Sequence, residues 1–239
     1  MTIAQIITEA DLPQEIKIFN LSLPINIGSV NCYLVKNEAG YILIDTGGSN
    51  KRRELETELE SAGCQPGNLN LIVLTHGDFD HTGNAAYLRN KFGTKIAMHT
   101  ADSGMAEQGD MFWNRRKPNF LIKLMTPILF RFPKSDWFEA DLFIETGFDL
   151  SEYGFSAKVI SIPGHSKGSI GILTTDGDLF CGDLLENTAK PALNSIMDDI
   201  DTANASVEKL KNYKINTVYP GHGKPFAMDD FMEPHTRNE

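Results

Sequence analysis

A chain of 239 residues with 41% hydrophobic and 23% charged residues has the make-up of a globular α/β or β-rich domain, which excludes disordered, collagen-like and membrane-bundle classes. A net charge of −10 argues against a nucleic-acid binder unless basic residues cluster. Three cysteines, Cys32, Cys64 and Cys181, without C-x-x-C spacing exclude a disulfide framework and fit a reducing compartment.

In chain order, the segment up to Phe19 carries Glu9, Asp11 and Glu15 and lacks a basic-then-apolar pattern, so no signal peptide is expected and the expected location is cytoplasmic. Glu15–Phe19, Val30–Lys36 and Tyr41–Asp45 read as strands, the last two joined by a hairpin turn at Asn37–Gly40. Asn50 is the expected cap of a helix running to Ala62, with Leu55, Leu59 and Ala62 on one face and Gly63 as the stop. Leu71–Leu74 reads as a buried strand, Asn84–Phe92 as a helix stopped by Gly93, and Lys95–Met98 as a further strand. Lys158–Ile162 is a strand, and Ser169–Thr175 and Asp178–Cys181 form a hairpin around Asp176-Gly177. A helix is expected over Asp201–Tyr213, capped by Asp201 or Thr202, followed by a strand at Ile215–Tyr219.

The middle of the chain differs. Residues 105–143 hold both tryptophans and six phenylalanines, and residues 111–134 hold six basic residues and no acid. This shift reads as an insert within one domain spanning residues 1–239. Its longest apolar stretch, Phe120–Phe130, is interrupted by Lys123 and Pro127 and is too short to span a bilayer. An aromatic and basic wall suits an anionic amphiphile, with Arg115-Arg116-Lys117 as the anion hook. The plainer alternative is a cap packed on the core or on a second subunit, as in a homodimer. The acidic remainder of the chain argues against a single-stranded nucleic-acid platform.

One segment concentrates chemistry. Thr75-His76-Gly77-Asp78-Phe79-Asp80-His81 follows an apolar strand and puts four candidate ligands within six residues. Carboxylates and imidazoles this dense are costly without a partner, and a divalent cation supplies one. His165, Asp183 and His222 each stand where a strand yields to a Gly-containing loop, and such loops converge on one rim of a sheet.

With these residues the chain resembles the metallo-β-lactamase superfamily of metal-dependent hydrolases. The resemblance runs through Asn31-Cys-Tyr-Leu-Val, Ile42-Leu-Ile-Asp-Thr-Gly, Thr75-His-Gly-Asp-Phe-Asp-His, Pro163-Gly-His-Ser-Lys-Gly-Ser, Gly182-Asp183 and Pro220-Gly-His-Gly. It implies a four-layer αββα sandwich with the site at one edge between two sheets. By the same resemblance His76 and His165 bind a first metal, Asp80, His81 and His222 a second, and Asp183 bridges both. Asp45 is then a residue that orients the ligand loop. Asp78 departs from the pattern, because the common motif has histidine there; flavodiiron proteins, a redox branch of the superfamily, carry a glutamate at that place. A third carboxylate lowers the site's charge by one unit, so it acidifies bound water less. Its hard oxygen shifts preference from zinc toward iron or manganese. Two divalent ions are therefore expected, iron or an iron–zinc pair, with a weakly filled first site as the competing expectation.

The leading reading is a hydrolase that directs a metal-bound, bridging hydroxide at an ester, thioester, lactone or phosphoester of a small molecule, with Asp80 orienting it or taking its proton. A di-iron redox protein without its own flavin domain and a non-catalytic metal-binding module are the alternatives. The bland readings fall on His99 as a structural hydrogen-bonder, His235 as solvated, Cys181 as a buried small residue, and Asp198, Asp199 and Asp201 as a helix N-terminus.

Overall fold

A computed structural model describes residues 15–115, 124–125 and 132–232. Two mixed sheets stack face to face. The first has strand order β1 (Glu15–Ser22), β2 (Ser29–Asn37), β3 (Gly40–Ile44), β4 (Leu69–Val73), β5 (Ile96–Met98) and β6 (Leu142–Phe143). Its first three strands pair antiparallel and the rest parallel. The helices α1 (Arg52–Ser61), α2 (Phe79–Thr82), α3 (Ala85–Phe92) and α4 (Thr100–Gln108) lie between its strands in sequence. The second sheet contains β7 (Ala157–Ser161), β8 (Ile170–Thr174), β9 (Asp178–Gly182), β12 (Thr217–Pro220) and β13 (Phe226–Ala227), in the order β13-β12-β9-β8-β7. A two-stranded ribbon, β10 (Leu185–Glu186) with β11 (Ala192–Leu193), and the helices α5 (Ile200–Leu210) and α6 (Met228–Met232) complete the described chain.

Strand periodicity explains the layering. Side chains alternate between the two faces of a strand, and β2 and β3 are apolar on both. Tyr33, Val35, Ile42 and Ile44 face Val159, Ile170, Ile172 and Phe180 in the core between the sheets. Their neighbours Cys32, Leu34 and Leu43 join Leu55 and Leu59 of α1 and Leu88 and Phe92 of α3 in an outer core. On the other side Ile160, Leu179 and Val218 pack with Ala203 and Leu210 of α5. Three apolar interfaces separate four layers, the expected αββα sandwich. A fully buried leucine such as Leu59 contributes about 1.5–3 kcal/mol.

Several expectations need correction. Asn50 does not cap α1: a 3-10 turn over Ser49–Lys51 precedes the helix, Lys51 occupies the cap position, and the Asn50 amide donates to the Ser22 carbonyl. Helix α5 is capped by Asp199, which accepts from the Thr202 N–H, not by Asp201 or Thr202. Asp198 does more than complement a helix end, since it pairs with Arg115 at 2.7 Å. Helix α4 has no counterpart in the sequence reading. Its sequence has no apolar periodicity, since Asp102 through Ala106 are buried in succession, and its cap is His99, whose Nδ1 accepts from the Ala101 N–H. Of the insert's described aromatics, Phe138 is buried and Phe132 stacks on Phe79 at 4.3 Å between ring centres, whereas Trp113, against Gly104, and Phe143 are exposed. Phe120–Phe130, Arg116, Lys117 and His235 fall wholly or largely outside the described residues.

Candidate metal centre

Parallel pairing of β3 with β4 and of β9 with β12 brings their C-terminal ends to matching edges. Strand β7 runs parallel to β9 through its antiparallel neighbour β8. His76, Asp78, Asp80 and His81 follow β4, His165 follows β7, Asp183 follows β9 and His222 follows β12. The seven residues singled out in the sequence meet there. The donor atoms of His76, His165 and Asp183 lie within 4.8 Å of one another, and so do those of Asp80, His81 and His222. Asp183 joins the two groups: its Oδ2 is 3.9 Å from His165 Nε2 and 3.2 Å from His222 Nε2, and its Oδ1 is 3.4 Å from His81 Nε2.

The imidazoles share one arrangement. His81 Nδ1 is 2.8 Å from Asp45 Oδ2, His165 Nδ1 is 2.7 Å from the Ile196 carbonyl, and His222 Nδ1 is 2.6 Å from the Ser29 carbonyl. Each partner is an acceptor, so each Nδ1 donates. His76 Nδ1 is 3.0 Å from Thr75 Oγ1, whose own proton goes to Asp45 Oδ2, so here too Nδ1 donates. All four Nε2 atoms are left facing the site, the tautomer that binds metal. His76 Nε2, His81 Nε2 and Asp183 Oδ1 are buried without a hydrogen-bond partner. Orphaned buried polar atoms are expensive, and cations held in the two clusters would satisfy them. The residues fit a metal pair.

The surrounding scaffold shows what the Asp45 and Asn31 motifs do. Asp45, in a left-handed conformation at φ 58°, accepts from the Thr75 N–H and hydroxyl as well as from His81. It thereby locks the first motif loop to the end of β3. The Asn31 amide donates to the carbonyls of Pro220 and Gly223, and the Asn31 N–H donates to the Gly221 carbonyl, so β2 holds the His222 loop. Gly221 permits that approach, because a Cβ there would sit 2.1 Å from Asp183 Oδ1.

Electrostatics follow from this crowding. Burial and the neighbouring His81 and His165 hold His76 well below the usual imidazole range. Burial alone would lower His222, but Asp183 and Asp80 push it up to about 9. His81 is likewise raised against its burial by Asp183, Asp45 and Asp80, and His165 by Asp78 and Asp183. Burial raises Asp80. Without a cation, the carboxylates favour protons on His81, His165 and His222 but not on His76.

Asp78 has a partner that sequence reasoning missed. Its Oδ1 forms an ion pair with Arg115, while its Oδ2 is 3.0 Å from His165 Nε2 and 3.7 Å from His76 Nε2. Burial would raise Asp78, yet Arg115 first and then His165 pull it far below the carboxylate range. Arg115 is itself only 6% exposed and also donates to Asp198 and to the His165 carbonyl. It is therefore not the open anion hook read from Arg115-Arg116-Lys117. It returns the unit of positive charge that Asp78 removes. The signal was present as a basic residue in an aromatic insert, but only the fold shows that it reaches residue 78.

The family model of the metallo-β-lactamase superfamily matches residues 25–222. The chain belongs to the metallo-β-lactamase superfamily. Its curated relatives include the hydroxyacylglutathione hydrolase GloC of Haemophilus influenzae, 28% identical over 206 residues that cover 84% of this chain and 89% of that protein. The acyl-coenzyme A thioesterase MBLAC2 of Bos taurus is 25% identical, covering 83% and 75%. A beta-lactamase-like protein 2 homolog of Caenorhabditis elegans is 22% identical over 90% of this chain, which spans 65% of that relative's length. Among solved structures, the superfamily protein TTHA1429 of Thermus thermophilus superposes with a TM-score of 0.67 at 22% identity, covering 91% of this chain and 76% of that one. These matches agree with the sandwich fold, and the two histidine–carboxylate clusters are the donor set of a metallo-hydrolase. Among the described residues no helix is long and apolar enough to cross a membrane.

Proposed function

We propose that this protein is a metal-dependent hydrolase of small acyl compounds, thioesters foremost, working through two divalent cations. The observation that carries the reading is the set of four imidazoles locked as Nδ1 donors with their Nε2 atoms converging on Asp183. His76, His165 and Asp78 would hold the first cation and Asp80, His81 and His222 the second, with Asp183 placed between the two groups. Donors that share one cation at about 2.0–2.2 Å stand about 3–4 Å apart, and the Asp78 separations of 3.0 and 3.7 Å fall in that interval. The hard Asp78 oxygen favours iron, or iron with zinc. A bound dication lowers the pKa of water from about 15.7 toward about 7 and polarises the oxygen under attack.

The chain's own residues do the rest. Asp80 would take the proton of the attacking water and return it to the leaving group. Asp45 keeps His81 oriented, and the Ser29 and Ile196 carbonyls keep His222 and His165 oriented. Apolar side chains stand exposed on the same anchoring segments, Ile196 at 70% and Ile27 at 54%, which suits an acyl group. A cavity of about 430 Å³ lined by Arg115, Asn114, Ser166, Lys167, Asp198 and Asp199 among others is of small-molecule size and offers both charges to a polar part of the substrate. Two superfamily relatives are named for thioester hydrolysis, in keeping with this choice. On this reading residues 1–239 are one domain, and Arg115 from the 105–143 segment contributes to the site through Asp78.

The test is turnover by metal-loaded protein across S-acylglutathione and acyl-coenzyme A thioesters, carboxylic esters, lactones and phosphodiesters. Thioester hydrolysis that disappears in His81→Ala supports the reading. Activity confined to phosphodiesters, or no turnover by fully loaded protein, contradicts it.

A further inference from the structure

We propose that Asp102 is the positioning residue of the first metal site, clamping the His76 loop to the His165 loop from helix α4. The inference rests on the reading of the site as a two-metal centre. It starts from a fully buried carboxylate that the ligand set does not use. Asp102 Oδ2 accepts from the Gly77 N–H at 3.1 Å and from Ser166 Oγ at 2.6 Å, and Oδ1 accepts from the Gly168 N–H at 2.8 Å. Gly77 immediately follows His76, and Ser166 immediately follows His165. One carboxylate therefore ties together the backbones that carry the two first-site histidines, whose ring centres are 4.7 Å apart.

The approach is tight on both sides. A Cβ on Gly168 would lie 2.6 Å from Asp102 Cγ, and one on Gly77 would lie 2.5 Å from Met105 Sδ and 3.1 Å from the Asp102 carbonyl. The glycines let both loops press against α4. Ser166 is fixed further by Ser169, whose Oγ accepts from the Ser166 N–H at 3.0 Å. The second site is held by other groups: Asp45 for His81 and the Ser29 carbonyl for His222. The clamp bears directly on the backbones of the two first-site histidines, whereas the second-site imidazoles rest on other acceptors, so its loss falls on the first site.

Metal titration of the apo-protein, followed by competition with a chelator, tests this. Asp102→Asn keeps an oxygen for Gly168 but turns an N–H donor toward Gly77 and Ser166. One binding step should weaken about 10–100-fold, the range for partners that orient ligands, with the other step unchanged and the circular dichroism of wild type. In a His81→Ala background, where the first site remains, Asp102→Asn should weaken that remaining step. Ser166→Ala, which removes only the hydroxyl arm, should weaken the same step to a smaller extent, and it decides the matter if Asp102→Asn fails to fold. Wild-type affinities in these variants, or equal loss at both steps, overturn the clamp while leaving the two-metal reading standing. A wild-type protein that takes up no metal overturns that reading itself.

Discussion

Replacing Arg115 by methionine isolates the charge relation at the heart of the first site. Asp78 and Arg115 are 10% and 6% exposed as side chains, so the pair sits in the regime where removing one partner leaves an uncompensated buried charge, at about 3–5 kcal/mol. His165 Nε2, 3.0 Å from Asp78 Oδ2, still offsets part of that charge when protonated, which places the metal-free protein at the lower end, about 3 kcal/mol. Asp198 is 29% exposed and is rehydrated at little cost. When a dication occupies the first site, it takes over the compensation, and the loss should fall to about 1 kcal/mol, the scale of an ordinary lost hydrogen bond. For a chain of this size each kcal/mol moves Tm by about 2–4 °C. Arg115→Met should therefore lower the Tm of metal-free protein by about 6–12 °C and of metal-loaded protein by about 2–4 °C. Thermal melts in chelator and in excess metal, read by circular dichroism, measure both. An equal drop in the two states would refute the idea that Arg115 and the metal serve the same carboxylate.

Four further outcomes follow from the same geometry. His81→Ala should remove the metal held with Asp80 and His222; unchanged metal content and activity would refute that assignment. Asp45→Asn should weaken metal binding at both sites, the second by about 10–100-fold, because the amide cannot accept from Thr75, which orients His76, and from His81 together as the carboxylate does; chelator competition reads the shift. Asp78→His should move the metal profile toward zinc, and more completely with Arg115→Met, which removes a cation left without its main partner; an unchanged profile by elemental analysis would show that residue 78 does not select the metal. His222 is raised to about 9 against an unfolded value near 6.5. Its contribution to the metal-free fold is thus complete below about pH 6.5 and lost as pH rises through about 9, while metal uptake below pH 9 releases protons. Calorimetry in buffers of different ionisation enthalpy should detect that release, and proton-neutral binding at pH 7 would contradict it.

The parts of the fold legible in the sequence were those with strong local patterns. Strands such as Tyr41–Ile44 carry runs of Ile, Leu and Tyr because both faces are buried, and the Asp176-Gly177 turn marks its hairpin. The candidate ligand positions were legible because four of them crowd into six residues after β4 and His165, Asp183 and His222 stand singly past strand ends. What escaped was non-local. Helix α4 carries Asp102 on a surface that neither alternates nor repeats, and Arg115 reaches Asp78 across 37 positions of sequence. Nothing local distinguishes Asp199 from Asp201 as a cap, since the choice depends on where the chain turns extended, at φ −144° and ψ 103°.

The most direct measurement is elemental analysis of protein purified without chelator, expressed as metals per chain. The paired clusters with their orphaned Nε2 atoms predict close to two, with iron or manganese among them. One metal or fewer, mainly zinc, would contradict the two-metal centre and Asp78 as a ligand within it.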